Sequence, residues 1–416
     1  MRALLLILIA SSALGQGRFD RFNQRTDQGR STRGFQQSSL AFFEFAPTSG
    51  AGMGTACACT TPTGAKGETM TFTRTGAATC SPLGLATTGI TNASLVECSA
   101  NLPRVESASG VLGLRVEGSR TNVLTRFIDY ANATWADVGT PTLTGAQASP
   151  WTGTYANLAV QFDDNDGAAF EGRTQTVTVT AATAYTMSCY VKAGTLAAAR
   201  LSLDGTTADF TGLSSSTWTI ITVADASSSG VAIAAQALNG STAAATGTVI
   251  WGGCQVEAGA YATSMIPTVA AGVTRNEEQP QFTISGWTAT TQWCLAASIA
   301  SDPKATGAVG FIAANTGAFP SAGPPALLYG AASRRLFDGA ADRVVISPPL
   351  TAARLVGRCL PSSSSLDYNA TSGTGAACST TGVLTRVGIG FYDTASQVDS
   401  IVTRVQLDSL PSRCTP

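Results

Sequence analysis

Apolar and polar residues alternate with a period of two along much of this chain. Thr174, Thr176, Thr178 and Thr180 interleave with Gln175, Val177, Val179 and Ala181. Successive side chains of a strand point to opposite faces, so this run predicts a half-buried strand with its hydroxyls outside. Next, Tyr185, Met187, Cys189 and Val191 alternate with Thr186, Ser188, Tyr190 and Lys192. Residues 199–204, 218–223 and 248–254 continue the series, separated by clusters of Gly, Ser and Asp. Short, regularly spaced strands with polar turns describe a sandwich or jelly roll.

Similar patterns flank this region. Residues 40–45, 69–74 and 112–116 precede it; 281–284, 293–299, 309–313, 343–346, 386–391 and 401–407 follow. No long amphipathic helix and no fixed-period repeat is evident. The fold class expected is all-β, with two antiparallel β-sandwich (jelly-roll) domains. The central domain spans 125–270 and the second 271–416. The N-terminal β segment, 41–124, belongs to the second sandwich if the strands at 113–117 and 281–284 share one sheet. The central domain is then inserted into the other.

The first residues read as an export signal. Arg2 precedes an apolar core at 3–10, too short to span a bilayer, and small residues at 13–15 suit cleavage before Gln16. A signal peptide at 1–15 and a flexible polar linker at 16–40 imply a secreted or cell-surface protein, with no membrane span after signal removal. Export makes sense of ten cysteines as disulfides. Cys189 shares a face with Met187 and Val191, and Cys254 with Ile250 and Val256, so both point inward and suit a bond if their strands are neighbours. Cys80 and Cys98 are a second candidate pair, closing a loop around 81–97.

Composition narrows the chemistry. The net charge of -1 offers no attraction to nucleic acid. Histidine is absent, which excludes Ser-His-Asp triads, Cys-His dyads and His-ligated zinc. Carboxylate-pair catalysis remains open.

A series of phrases adds a resemblance. Phe72-Thr-Arg-Thr-Gly76, Asn101-Leu-Pro-Arg104, Gly113 to Asn122 and Asn132-Ala-Thr-Trp135 are followed by 185–194, then Gln255-Val-Glu257, Thr263-Ser-Met-Ile-Pro-Thr268 and Arg275. In order and spacing, over roughly 69–280, they resemble phage tail-fibre and head-spike-type proteins and related secreted bacterial proteins. The resemblance implies a carbohydrate-binding-module-like jelly roll beside a concanavalin/laminin-G-like sandwich. The export signal and the cysteines depart from a virion part and favour a secreted bacterial relative.

Sugar-binding jelly rolls stack exposed aromatic rings on apolar sugar faces. Trp135, Trp151, Tyr155, Trp218 and Trp251 are the central candidates, and Trp251, on the parity opposite to Cys254, is expected to face outward. Core packing is the plainer alternative for each. Asp163, Asp164 and Asp166 form an acidic cluster; oxygen-rich loops suit Ca²⁺, and the resemblance leaves room for a structural calcium, a solvated turn being the alternative. No other cofactor is implied. Glu117, Arg120, Asn122 and Glu257 read as structural pairing; Glu117 with Glu257 can also be cast as a glycosidase pair. The expected function is non-enzymatic binding of a glycan, cell-surface polysaccharide or other cell-surface partner. A fibre-like structural component, assembled as a homo-oligomer, is the alternative, and a glycoside hydrolase or lyase the third reading.

Overall fold

The computed structural model describes residues 41–44, 70–81, 88–108, 111–288, 292–299, 309–315, 325–329, 334–338, 341–347, 353–360, 362–368, 371–378, 383–389, 391–393, 396–397, 400–408 and 414. The expected signal peptide and linker lie outside them. Among the described residues the regular structure is strand, apart from one short 3-10 turn at Gly153–Tyr155. No helix there is long and apolar enough to cross a membrane.

The central region forms two antiparallel sheets. One runs in the order Thr142–Gln147, Ala159–Asp164, Gly247–Ala258, Tyr185–Ala193, Trp218–Asp225 and Thr88–Ile90. The other runs Thr206–Thr211, Ala198–Leu203, Ala232–Asn239, Gly172–Thr178 and Ala136–Val138. Met187, Cys189 and Val191 of the first meet Val177, Leu201 and Ile233 of the second in one core. Removing such side chains from water stabilises the fold by about 1.5–3 kcal/mol each. Gln175 and Val177 are buried while Thr176 and Thr178 are exposed, as their alternation requires.

Tyr185–Ala193 is buried along its whole length, unlike the alternating exposure its sequence predicts. A further layer covers the outer face of its sheet: Ile90, Leu95, Phe127, Ile128, Trp151 and Met265 pack with Tyr190 and Trp218. The strand Thr88–Ile90 thereby joins the central sheet, although it lies within the N-terminal segment.

The flanking segments build two more sheets. The first orders Thr371–Gly375, Ser364–Tyr368, Ala353–Cys359, Trp293–Ile299, Ser400–Asp408, Val111–Val116 and Arg104–Ala108, with Ala41–Glu44 also paired to Ser400–Asp408. The second orders Met70–Thr73, Gln279–Thr288, Val383–Ile389, Val309–Asn315, Pro325–Tyr329, Arg334–Asp338 and Asp342–Ile346. They face each other closely: a Cβ added at Gly357 would come within 2.5 Å of Leu327 and 2.7 Å of Leu336. The strands at 113–117 and 281–284 were expected in one sheet; they lie in different sheets. Each of the two sheets nevertheless combines strands from before 117 with strands from after 278, so the central sandwich interrupts them in sequence.

Cys189 and Cys254 stand opposite each other in neighbouring strands and are bonded. Cys294–Cys414 and Cys359–Cys378 are bonded as well. Such bonds fit an oxidising, extracellular compartment. Cys80 and Cys98 are each disulfide-bonded. Their ladder sets Ala78 opposite Cys98 and Cys80 opposite Val96.

Candidate functional site

The polar residues of the recurring phrases converge in one buried cluster where the chain enters and leaves the central sandwich. There Arg120–Asn122 pairs with Val273–Arg275. Glu117 is the hub: its carboxylate accepts from Arg104 Nη2 at 2.8 Å, pairs with Arg275 Nη1 at 2.8 Å, and also receives Arg115 and the Ser264 hydroxyl. Glu278 accepts from Arg74 Nη1 at 2.7 Å and Arg104 Nε at 2.9 Å, and from the Glu117 backbone N–H at 2.9 Å. Arg74, Arg104, Glu117, Arg275 and Glu278 are all at most 1% exposed. Burial alone would raise the Glu117 carboxyl, but Arg115, Arg275 and Arg104 outweigh it and hold it well below the usual range. Glu278 is lowered too: Arg104 and Arg74 overcome its burial.

Glu257 occupies the neighbouring pocket of the same seam. It accepts from the Thr263 N–H at 2.6 Å, the Thr263 hydroxyl at 2.7 Å and Gln255 Nε2 at 2.9 Å, with Arg120 Nε at 3.6 Å. Burial pushes its carboxyl up to about 7 against these hydrogen bonds and against Arg275 and Arg120. Asn122 ties the seam to the jelly roll through Ile266 O and the Val256 N–H. The glycosidase casting of Glu117 with Glu257 is corrected here. Both carboxylates are fully buried and engaged by fixed donors, so neither presents an oxygen to a sugar.

Four of the five aromatic candidates are core residues. Trp135, Trp151, Trp218 and Trp251 are at most 1% exposed. Each indole N–H is used internally, donating to Arg126 O, Gly252 O, Asn92 Oδ1 and Asn239 Oδ1 respectively. None of them can serve as a stacking platform. Trp251 faces inward because the ladder slips between Cys189 and Val191. This bulge gives two residues on one strand for one on the other and reverses the parity. Trp251 and Val249, rather than Ile250, therefore share the core with Cys254. Gly253, at φ +121°, makes the slip feasible, since a side chain there would be strained.

The acidic cluster is not gathered into a cation site. Asp163 and Asp164 follow each other on a strand and point to opposite faces. The Asp164 oxygens accept from the N–H groups of Asp166 and Glu171, each at 3.3 Å. Glu171 in turn accepts from Asn165 N at 2.8 Å and Thr140 N at 2.8 Å. These carboxylates cap a loop, and among the described residues no three or more acidic or cysteine side chains converge as metal ligands.

Tyr155 differs from the tryptophans. It is partly exposed and lines a pocket of about 470 Å³, within the roughly 300–1,000 Å³ typical of small-molecule sites. The wall includes Phe127, Ile128, Leu158, Val160 and Val269. Phe127 meets both Tyr155 and Trp151 edge-on, with centroids at 5.0 and 5.3 Å, so the Tyr155 ring is fixed from behind. Burial raises the Tyr155 hydroxyl above its ordinary range, and Glu97 adds to this. Leu158 and Val269 are 44% and 56% exposed, two of the few large apolar side chains so placed. Arg126 and Asp129 add a charged pair at 3.9 Å. Arg126 and Ala146 hold positive φ values of +53° and +57°, and the strand carrying Ala146 is bulged there. Strained non-glycine residues collect at binding sites. Sequence reasoning reached Tyr155 but missed Arg126, Leu158, Thr268 and Val269, which lie in connections without periodic signal.

No family model matches the chain, and no curated protein does. Solved structures give loose likenesses. An arabinose-bound MgGH51 α-L-arabinofuranosidase is 14% identical with a TM-score of 0.28, covering 36% of this chain and 27% of its own. The CBM22-1 xylan-binding domain of Paenibacillus barcinonensis Xyn10C is 14% identical with a TM-score of 0.26, covering 34% of this chain and 96% of its own. The tandem CBM22-1-CBM22-2 domain of that protein is 11% identical with a TM-score of 0.25, covering 69% and 97%. Likenesses of this size carry no functional argument.

Proposed function

We propose that this is a secreted, non-enzymatic recognition protein that binds a glycan in the Tyr155 pocket. The observation that carries the reading is the placement of Tyr155. It is the one aromatic candidate of the central sandwich with an accessible ring, and it stands in a concave apolar wall beside the Arg126–Asp129 pair. Such a wall suits the apolar face of a sugar, and the charged pair suits its hydroxyls. The buried Arg–Glu seam supports a static scaffold, with its carboxylates committed to guanidinium partners rather than to a substrate. A glycan array on the whole secreted chain tests this. Wild-type protein is expected to retain a coherent set of sugars that Tyr155→Ala loses by about tenfold or more in affinity, the scale of an anchoring aromatic. A folded wild-type chain that retains no sugar while forming stable oligomers would favour the fibre-like structural alternative.

A further inference from the structure

We infer that Asn132 is modified during export, its side-chain amide accepting an N-linked glycan. The inference goes beyond the pocket and rests only on the secreted character of the chain. The acceptor phrase is Asn-x-Ser/Thr, with x other than Pro, on the surface of an exported protein. This chain carries it at Asn92, Asn132, Asn239 and Asn369. In a chain so rich in Ser and Thr the phrase alone is a weak signal, and the structure decides among its occurrences. Asn369 lies outside the described residues. Asn239 is fully buried: its Nδ2 donates to Phe162 O at 2.9 Å and Gly247 O at 3.1 Å, and its Oδ1 accepts from Trp251 Nε1 at 3.2 Å. A glycan there would break open the core around Trp251.

Asn132-Ala-Thr134 is the opposite case. Its backbone is held as a turn: the Asn132 N–H donates to Asp129 O at 3.2 Å, and the Trp135 N–H to Asn132 O at 2.9 Å. Ala133 and Thr134 are exposed. The Asn132 Oδ1 accepts from the Thr134 N–H at 3.2 Å, an Asx turn that folds the carboxamide toward the threonine. The Asn132 Nδ2 makes no hydrogen bond to the described residues and is not buried, so solvent reaches it. Asn92-Ala-Ser94 is exposed at Asn92, but there the Ser94 hydroxyl donates to Thr91 O at 2.8 Å and the Asn92 Oδ1 holds Trp218 Nε1 at 2.8 Å. Among the described residues, Asn132 is the occurrence with its amide nitrogen and its hydroxyl partner both uncommitted. In the transfer, Nδ2 bonds to the anomeric carbon of a lipid-linked oligosaccharide. The bond from that carbon to the lipid diphosphate oxygen breaks, the diphosphate leaves with the electron pair, and one amide proton passes to a base of the transferase. The product is still an amide, so Oδ1 keeps its bond to Thr134.

Peptide mass spectrometry on the full chain tests this. The chain, with its own leader, is expressed in a secretory host that carries an oligosaccharyltransferase and is recovered from the medium. Peptide:N-glycosidase in heavy-oxygen water then converts each glycosylated Asn to a mass-tagged Asp, and an enzyme-free control marks spontaneous deamidation. The tag is expected at Asn132 in most chains and absent at Asn239. Thr134→Ala is expected to lose the Asn132 tag, while Thr134→Ser keeps it. Thr134 is exposed, so neither variant disturbs the core, and thermal melts confirm that both fold. An untagged Asn132 in the exported, folded chain, or a tag that survives Thr134→Ala, overturns the inference and leaves the pocket reading to the array. A tag on Asn239 in the folded chain overturns the structural choice among the four phrases. A chain that never reaches the medium removes the secreted reading and the modification with it.

Discussion

Glu117 shows what one residue contributes here. Three arginines drawn from 104, 115 and 275 meet on its carboxylate, with Ser264 completing the set. A buried ion pair is weak evidence of net stability, but removing one partner strands the others. Glu117→Gln is therefore expected to destabilise the chain by about 3–5 kcal/mol, read by urea unfolding; a change below about 1 kcal/mol would mean the arginines find other partners. Part of this was legible in the sequence. Glu117, Arg120, Asn122 and Glu257 stand out as polar or charged residues in or beside apolar strands, and a structural pairing is their plain reading. Their assembly with Arg74 and Glu278 was not legible, because those partners lie 43 and 161 positions from Glu117 and only the folded topology joins them. Tryptophans mislead for a related reason: the sequence shows a large aromatic, but whether its face is covered depends on a second layer built from remote loops.

At the scale of elements, the strand Gly247–Ala258 carries the most information. Period two correctly places Cys254 and Val256 inward, but the bulge at Gly252 and Gly253 resets the count and reverses Ile250 and Trp251. A Cβ on Gly253 would meet the Phe127 ring at 3.0 Å, at a φ of +121° that side chains rarely adopt. Gly253→Ala is expected to lower stability by about 1 kcal/mol or more, and a melt equal to wild type would place the strain elsewhere. The disulfide beside the bulge closes 65 residues of chain between Cys189 and Cys254. Loop closure of that length predicts a loss of about 2–5 kcal/mol when both cysteines become alanine, measured by denaturant midpoint under oxidising conditions. Period-two runs rich in Val, Ile and Thr were readable as strands; Thr142–Gln147 and Thr206–Thr211 were not, because they lie at sheet edges and are mostly exposed.

For the whole molecule, the seam sets the response to pH. Glu257 is held up at about 7 against an ordinary value of 4.5, so the folded chain keeps a proton that the unfolded chain releases. Its contribution is full below about 4.5 and is lost as pH rises through about 7. Glu117 and Glu278 act in the opposite sense: their folded values are depressed, so their contribution is present above the ordinary value and lost as acid protonates them. The melting temperature is expected to fall from mildly acidic toward neutral pH, and Glu257→Gln to flatten that slope while leaving the acid limb. An unchanged neutral slope in the variant would assign it to another group.

Recognition is the central claim, and its most direct measurement is the position of a bound sugar. A crystal structure of the chain with an array-positive saccharide is predicted to show the ligand against Tyr155, Leu158 and Val269. A ligand seated instead on the exposed Thr176 and Thr178 face of the five-stranded sheet, with the Tyr155 pocket unchanged, would contradict the account.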